Sequence, residues 1–315
     1  MKRQILAVAA MAAVLLAACG DDSTSSSDTA AAPTTEAATE TTAAATETTA
    51  AATDTTEPAA ADAAACAEGK TLEAGVLTIA TGDPAFPPYV LDDAPESGQG
   101  FESAVALAVA KELGFEGDAV QWVRTSFDTA VAGSDNTFDF NLQQFTINDE
   151  RKQVVSFSQP YYVANQAVLG YADGPGKGVT KLSDLKSLSL GAAAGTTSLQ
   201  FILDVIQPDA EPFAFNSNAD AKTALDNQQI DAIITDLPTG LYISAVEIEG
   251  TKVFGQFPID AGGAGDQWGL LLTKDDPLTE CTDLALANLA TSGELAAITD
   301  EWMGQWTEAP TLSKD

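Results

Sequence analysis

The strongest constraint on this chain is a break in its composition near Cys66. Between Gly20 and Ala65 nearly every residue is Ala, Thr, Ser, Asp or Glu, with nine acids and neither an aromatic nor a basic residue. Such a stretch buries too little apolar surface to offset the entropy of ordering it, so a flexible, acidic stalk is expected there. From Cys66 onward about 250 residues have ordinary globular composition, enough for one or two domains. The whole chain of 315 residues sets 14 Lys+Arg against 46 Asp+Glu, a net charge of -32, and contains no histidine. So acidic a surface excludes binding nucleic acid through its phosphates. Without histidine there is no Ser-His-Asp or Cys-His catalytic site and no His-ligated zinc, and three cysteines cannot make a four-thiolate zinc site. Carboxylate, hydroxyl, amide and guanidinium chemistry remain.

The N-terminus predicts export. Lys2 and Arg3 precede an apolar run over residues 5–16, too short to span a bilayer and of the length of a signal h-region. It ends in Leu16-Ala17-Ala18-Cys19, which resembles the bacterial lipoprotein box, where cleavage precedes a cysteine that then carries diacylglycerol. The expected organisation is a signal peptide over residues 1–18, then a lipidated Cys19 with its stalk over residues 19–65.

Beyond the stalk, strand-like and helical runs alternate. Strands are expected near residues 76–80, 119–123, 138–142, 188–192, 230–235 and 269–273. Helices are expected near 101–113, 127–132, 197–205, 219–226, 278–291 and 295–303, the first stopping at Gly114. The alternation predicts parallel sheets with helices on both faces. Three features fall where strands end, which is where open α/β sheets bind ligands. Gly195-Thr196-Thr197-Ser198 precedes a helix and offers N–H groups and hydroxyls to an anion, or is simply an N-cap. Asp236 follows an apolar strand and offers a carboxylate to a cation, or caps the next helix. Arg151 is one of two arginines after the signal, suited to a bidentate grip on a carboxylate, or to a surface pair with Asp149 and Glu150.

Taken together, GVLTIATGDPAFPPYV, GFESAVALAVAKELGF, FDFNLQQFTINDERKQVVSFSQPYY, LSDLKSLSLGAAAGTTS, QQIDAIITD, WGLLLTKDDP and TSGELAAITDEWMGQW resemble, in order, the amino-acid-binding proteins of bacterial ABC importers, solute-binding family 3. The resemblance covers nearly all of the chain from about Gly75 to Trp306. It implies an α/β, type II periplasmic-binding-protein fold of two lobes joined by two hinge crossings. Residues 66–164 and 265–315 would form the first lobe and 165–264 the second, with crossings near Val163 to Gln166 and near Gly262 to Trp268. Arg151 would grip a ligand α-carboxylate with help from Thr146 and the Thr196–Thr197 backbone. Asp236 would take the α-ammonium, and Phe86 would stack on the ligand between Asp83 and Tyr89. Gln143 and Gln144 replace the small residues usual in the family; they are expected to face the ligand side chain, or else to support the loop from outside. A free amino acid with a polar or cationic side chain would be the ligand and an ABC permease with its ATPase the partners. The resemblance implies no cofactor, a monomer, and a place on the extracytoplasmic face of the membrane, held by the Cys19 lipid alone. Two further readings stand beside this one. One is a dehydratase-type enzyme of the same fold using Glu102 or Asp83 as an acid, the other a sensor presenting ligand to a membrane partner. With Cys19 assigned to lipid and export to an oxidising compartment, Cys66 and Cys281 are expected to form a disulfide.

Overall fold

The computed structural model describes residues 62–262 and 265–314. Cys19 with its expected lipidation and the expected signal over residues 1–18 lie outside the described residues, as does the expected stalk up to residue 61. Among the described residues no helix is long and apolar enough to cross a membrane.

Two five-stranded sheets organise the chain. The first uses β1 (Leu77–Gly82), β2 (Val120–Thr125), β3 (Phe140–Asn141) and β4 (Val155–Ala164). The second uses β5 (Gln166–Tyr171), β6 (Leu190–Ala193), β7 (Phe213–Phe215), β8 (Ala232–Asp236) and β9 (Thr251–Gln256). The last strand, β10 (Asp266–Thr273), returns to the first sheet. The spatial orders are β2-β1-β3-β10-β4 and β7-β6-β8-β5-β9.

The sheets are mixed, which corrects the parallel expectation. Strand β10 runs antiparallel to β3 and β4, and β5 runs antiparallel to β8 and β9. The reason lies in the crossings. Four strands of each sheet end at the side facing the other sheet, and the fifth is the one the chain enters from across. The chain passes from β4 through the single residue Asn165 into β5, so β5 must start where its neighbours end. Strand β10 does the same after β9.

Helices cover the sheets: α1 (Ala63–Ala67), α2 (Phe101–Glu112), α3 (Phe127–Val131), α4 (Thr197–Phe201), α5 (Asn218–Asp226), α6 (Leu237–Tyr242), α7 (Thr279–Ser292) and α8 (Glu294–Met303). The predicted helix near residues 197–205 is α4 followed by one wider π turn over Ile202–Ile206. Helix α2 ends because Gly114 takes a left-handed φ of 86°, which lets Phe115 N–H reach Ala110 O at 2.8 Å. Its inner face packs Phe101, Val105 and Val109 against Leu77, Phe140, Trp268 and Leu286 in the first-lobe core. A Cys66–Cys281 disulfide, with Cα atoms 5.4 Å apart, ties α1 to α7.

The second lobe has a core around Val168, Phe201, Ile234 and Phe257. That core also contains Leu312, which overturns the assignment of residues 265–315 as a whole to the first lobe. After α8 the chain crosses once more, with Trp306 edge-on to Tyr242 at 5.5 Å. It then pairs with β9, the outer strand of the second sheet. Gln256 N–H donates to Pro310 O at 2.8 Å, and Leu312 N–H to Gln256 O at 2.9 Å. Ser313 bonds Thr180 and Leu182 in the same manner. The tail thus covers an edge that would otherwise present unpaired backbone groups. Gly255 is required there, since a Cβ would lie 2.7 Å from Leu312.

Candidate functional site

Where the strands of both sheets end, their loops enclose a cleft of about 900 Å³, open solvent included. Asp83, Phe86, Tyr89, Gln143, Gln144, Thr146 and Arg151 line it from the first lobe, and Thr196, Thr197 and Asp236 from the second. All ten of the residues singled out from the sequence therefore share one cavity.

The loop after β1 carries Asp83, Phe86 and Tyr89. Arg124 on β2 braces it: Nη1 donates to Gly82 O at 2.8 Å and to Asp93 Oδ1 at 2.5 Å, and Asp93 Oδ1 also accepts from Ala85 N–H. Phe86 stands edge-on to Tyr89, and Tyr89 edge-on to Trp268. Tyr89 is only 1% exposed, and its hydroxyl meets Thr239 Oγ1 of α6 at 2.8 Å, so this ring joins the two lobes. Burial, and then the charge of Asp236, hold its hydroxyl pKa well above the usual value.

Gln143 and Gln144 follow β3, and their amide nitrogens turn inward. Gln143 Nε2 donates to Thr125 Oγ1 at 2.7 Å and to Asn141 Oδ1 at 3.1 Å. Gln144 takes a left-handed φ of 50° and gives Glu102 both its backbone N–H, at 2.8 Å, and its side-chain amide. The donors expected to meet a ligand side chain are thus occupied within their own lobe. Glu102 is 2% exposed and also accepts from the Tyr161 hydroxyl. Burial pushes its carboxyl pKa up to about 7 against the opposing pull of those donors.

Arg151 opens a short 3₁₀ turn, its N–H bound by Asn148 Oδ1 at 2.8 Å. The guanidinium is buried inside the cleft, not paired on the surface. Nη1 donates to Thr146 O at 2.7 Å, and Nη2 crosses to Gly195 O of the second lobe at 3.1 Å. The group lies 5.3 Å over the Phe127 ring, which stacks on Phe145. Burial lowers its pKa, and Asp266 and then Asp236 pull the other way; guanidinium stays charged throughout.

Across the cleft, the Thr196 hydroxyl serves the helix, accepting from Leu199 N–H at 3.2 Å and donating to Ala193 O at 2.6 Å. Thr197 Oγ1 donates to Asp266 Oδ2 at 2.9 Å and lies 3.5 Å from Thr146 Oγ1. Asp236 ends β8 and precedes α6, but its side chain makes no cap bond to that helix. Its Oδ1 accepts from Gln166 Nε2 at 3.3 Å, and among the described residues no basic side chain forms an ion pair with it. Asp236 is half-buried; the loss of solvation there, and then Asp266 and Glu102, push its pKa up to about 8, with Arg151 opposing. This arrangement leaves one guanidinium beside three carboxylates and a carboxylate short of a cation. Phe127, Asp266 and Gln166 escaped the sequence reading as site residues. A signal existed for Phe127, which stands two residues past the end of β2.

The model of the bacterial extracellular solute-binding proteins, family 3, matches residues 77–305. The chain is 26% identical over 238 residues to the arginine-binding periplasmic protein of Mannheimia haemolytica, covering 75% of this chain and 95% of that protein. An ancestral arginine-binding protein bound to arginine superposes with a TM-score of 0.62 at 28% identity, over 73% of this chain and 99% of that one. The ancestral amino acid-binding protein AncCDT-1, a precursor of cyclohexadienyl dehydratase, gives 0.61 at 28% identity, over 72% and 95%. These neighbours share the type II periplasmic-binding-protein architecture seen here, two mixed α/β sheets facing one cleft. With the family match extending from β1 to just past α8, this chain belongs to the bacterial extracellular solute-binding proteins, family 3.

Proposed function

We propose that the cleft binds a free α-amino acid with a polar or cationic side chain and that the protein delivers it to an ABC permease and its ATPase. One observation carries the reading: Arg151 and Asp236 reach the same cavity from opposite lobes, and among the described residues no basic side chain forms an ion pair with Asp236. A zwitterion brings both complements, its carboxylate to Arg151, Thr146 and the Thr196–Thr197 backbone, its ammonium to Asp236. Burying either charge alone is costly, so the two sites act as a pair. Phe86 and Phe127 would flank the ligand, with Asp83 near its side chain. The excess of carboxylates favours a side chain that brings positive charge, in keeping with the arginine-binding relatives. Anchoring through a lipid on Cys19 would hold the protein at the extracytoplasmic face of the membrane.

Arg151→Ala and Asp236→Ala should each cost about 2–5 kcal/mol of affinity, as buried interfacial charge pairs do. Calorimetry that finds both variants within about threefold of wild type, far below that loss, discards the clamp. A screen of the twenty amino acids by thermal shift identifies the ligand, since one at about 100 times its Kd stabilises by about 2.7 kcal/mol. An enzyme reading gains from Glu102, a carboxyl that titrates near neutrality in the cleft, and from the likeness to AncCDT-1. Against it, both Glu102 oxygens already accept from Tyr161 and Gln144. Turnover of arogenate or prephenate would establish the enzyme.

A further inference from the structure

A single carboxylate oxygen, Asp266 Oδ2, gathers donors from both lobes. It accepts from Thr197 Oγ1 at 2.9 Å, from Gln166 Nε2 at 2.9 Å and from Thr146 Oγ1 at 3.3 Å. Thr146 belongs to the first lobe, while Gln166 and Thr197 open β5 and α4 of the second. Asp266 itself is the first residue of β10 and pairs with Ala164, the last residue of β4. It therefore sits where the two crossings run side by side, next to the bond from Gly265 N–H to Asn165 Oδ1 at 3.0 Å.

Two of these partners line the cleft, and the third reaches it through Asp236. Thr146 and Thr197 line the cavity beside Arg151. Gln166, 2% exposed, is held from behind by Ser198 Oγ at 2.6 Å and touches Asp236 with the same amide nitrogen. Asp266 thus reaches both ends of the clamp, through two hydroxyls at the Arg151 end and one amide at the Asp236 end. A threonine hydroxyl has one proton, and giving it to Asp266 fixes the rotamer of each side chain. Bonds to an ionised acceptor are the stronger kind, and one acceptor shared by two bodies resists their separation.

We propose that Asp266 is a positioning residue of the ligand clamp, a pin that orders Thr146, Thr197 and Gln166 together and ties closure of the lobes to occupation of the cleft. The inference rests on the amino-acid reading above. Stopped-flow and calorimetric titration with L-arginine and L-glutamine tests it. Asp266→Ala should lower affinity about ten- to a hundredfold, the weight of bonds to a charged group, mainly through faster dissociation. Because these bonds exist without ligand, the melting temperature should fall as well, and the discriminating readout is kinetic: the dissociation rate should rise while association stays near wild type, a split that mere loss of folded protein would not produce. Asp266→Asn keeps an accepting oxygen but not the charge, and should recover part of the affinity. If Asp266→Ala does not fold, Thr197→Val removes one donor at constant shape and should raise the dissociation rate in the same direction. Unchanged dissociation in the variant tested, or a loss as large in Asp266→Asn as in Asp266→Ala, overturns the pin. Failure of wild type to bind any of the twenty amino acids overturns it together with the reading beneath it, whereas wild-type binding with unchanged variants overturns the pin alone.

Discussion

The two lobes are built alike and finished differently. The first is closed by its own residues: a disulfide joins α1 to α7, and its buried acid, Glu102, accepts from Tyr161 and Gln144 of the same lobe. The second lobe is completed from outside. Leu312 of the tail fills its core, and its acid, Asp236, accepts one long side-chain bond from Gln166 and, among the described residues, forms no ion pair with a basic side chain. A buried carboxylate supplied with donors serves the structure, whereas one left short of a counter-charge is arranged for something that arrives later. The first lobe reads as a platform, the second as a jaw that awaits the ligand.

That contrast predicts separable failures. The largest effect should come from Cys66→Ser with Cys281→Ser. Opening a loop of 215 residues costs roughly 5 kcal/mol in the chain-entropy account. Guanidinium unfolding should show the loss in the first lobe, and an equal loss across both lobes would break the contrast. Next, Leu312→Ala empties a fully packed site and should cost about 2–5 kcal/mol. Hydrogen exchange should place that loss at Val253 to Gln256 and leave α2 and α7 protected.

A smaller effect separates the two acids. Both carboxyls have a folded pKa raised above the unfolded value. Each therefore adds stability that is fully present below about pH 4 and lost as pH rises through about 7 for Glu102 and about 8 for Asp236. In the ligand-free protein Asp236→Asn should flatten the fall across the whole range from about pH 4 to about 8, and Glu102→Gln only up to about 7, as melting curves across the range would reveal. Binding an ammonium should also release a proton from Asp236, so affinity rises with pH toward about 8 by at most about tenfold per unit. Calorimetry in buffers of different ionisation enthalpy would detect the proton, and Asp236→Asn should abolish it.

Much of this was legible in the sequence, for physical reasons. Helices with regular apolar spacing, such as α2 and α7, and the short apolar strands β1 and β8 carry their own periodicity. Residues at strand ends are placed by the strands themselves, which is why the ten residues share a cleft. Strand β4 was harder: Pro160 interrupts it and pairs across an irregular register with Gly269. The antiparallel sense of β5 and β10 depends on which lobe the chain arrives from, which no local pattern encodes. Leu312 sits in a short polar tail whose burial is decided wholly by the edge it covers. Asp266 looks like any acid at a strand start, and its weight comes from three donors distant in sequence. For Gln143 and Gln144 the sequence offered two readings. The inward bonds to Thr125, Asn141 and Glu102 lie nearer the supporting one, although both side chains still border the cleft.

The central claim is that Arg151 holds the ligand's carboxylate, and one chemical cycle tests it directly. L-arginine and agmatine, its decarboxylated counterpart, are titrated calorimetrically against wild type and Arg151→Ala. If Arg151 grips the carboxylate, removing either partner costs about 2–5 kcal/mol and removing both costs hardly more than removing one. Losses that simply add would mean that carboxylate and guanidinium act independently, and would contradict the account.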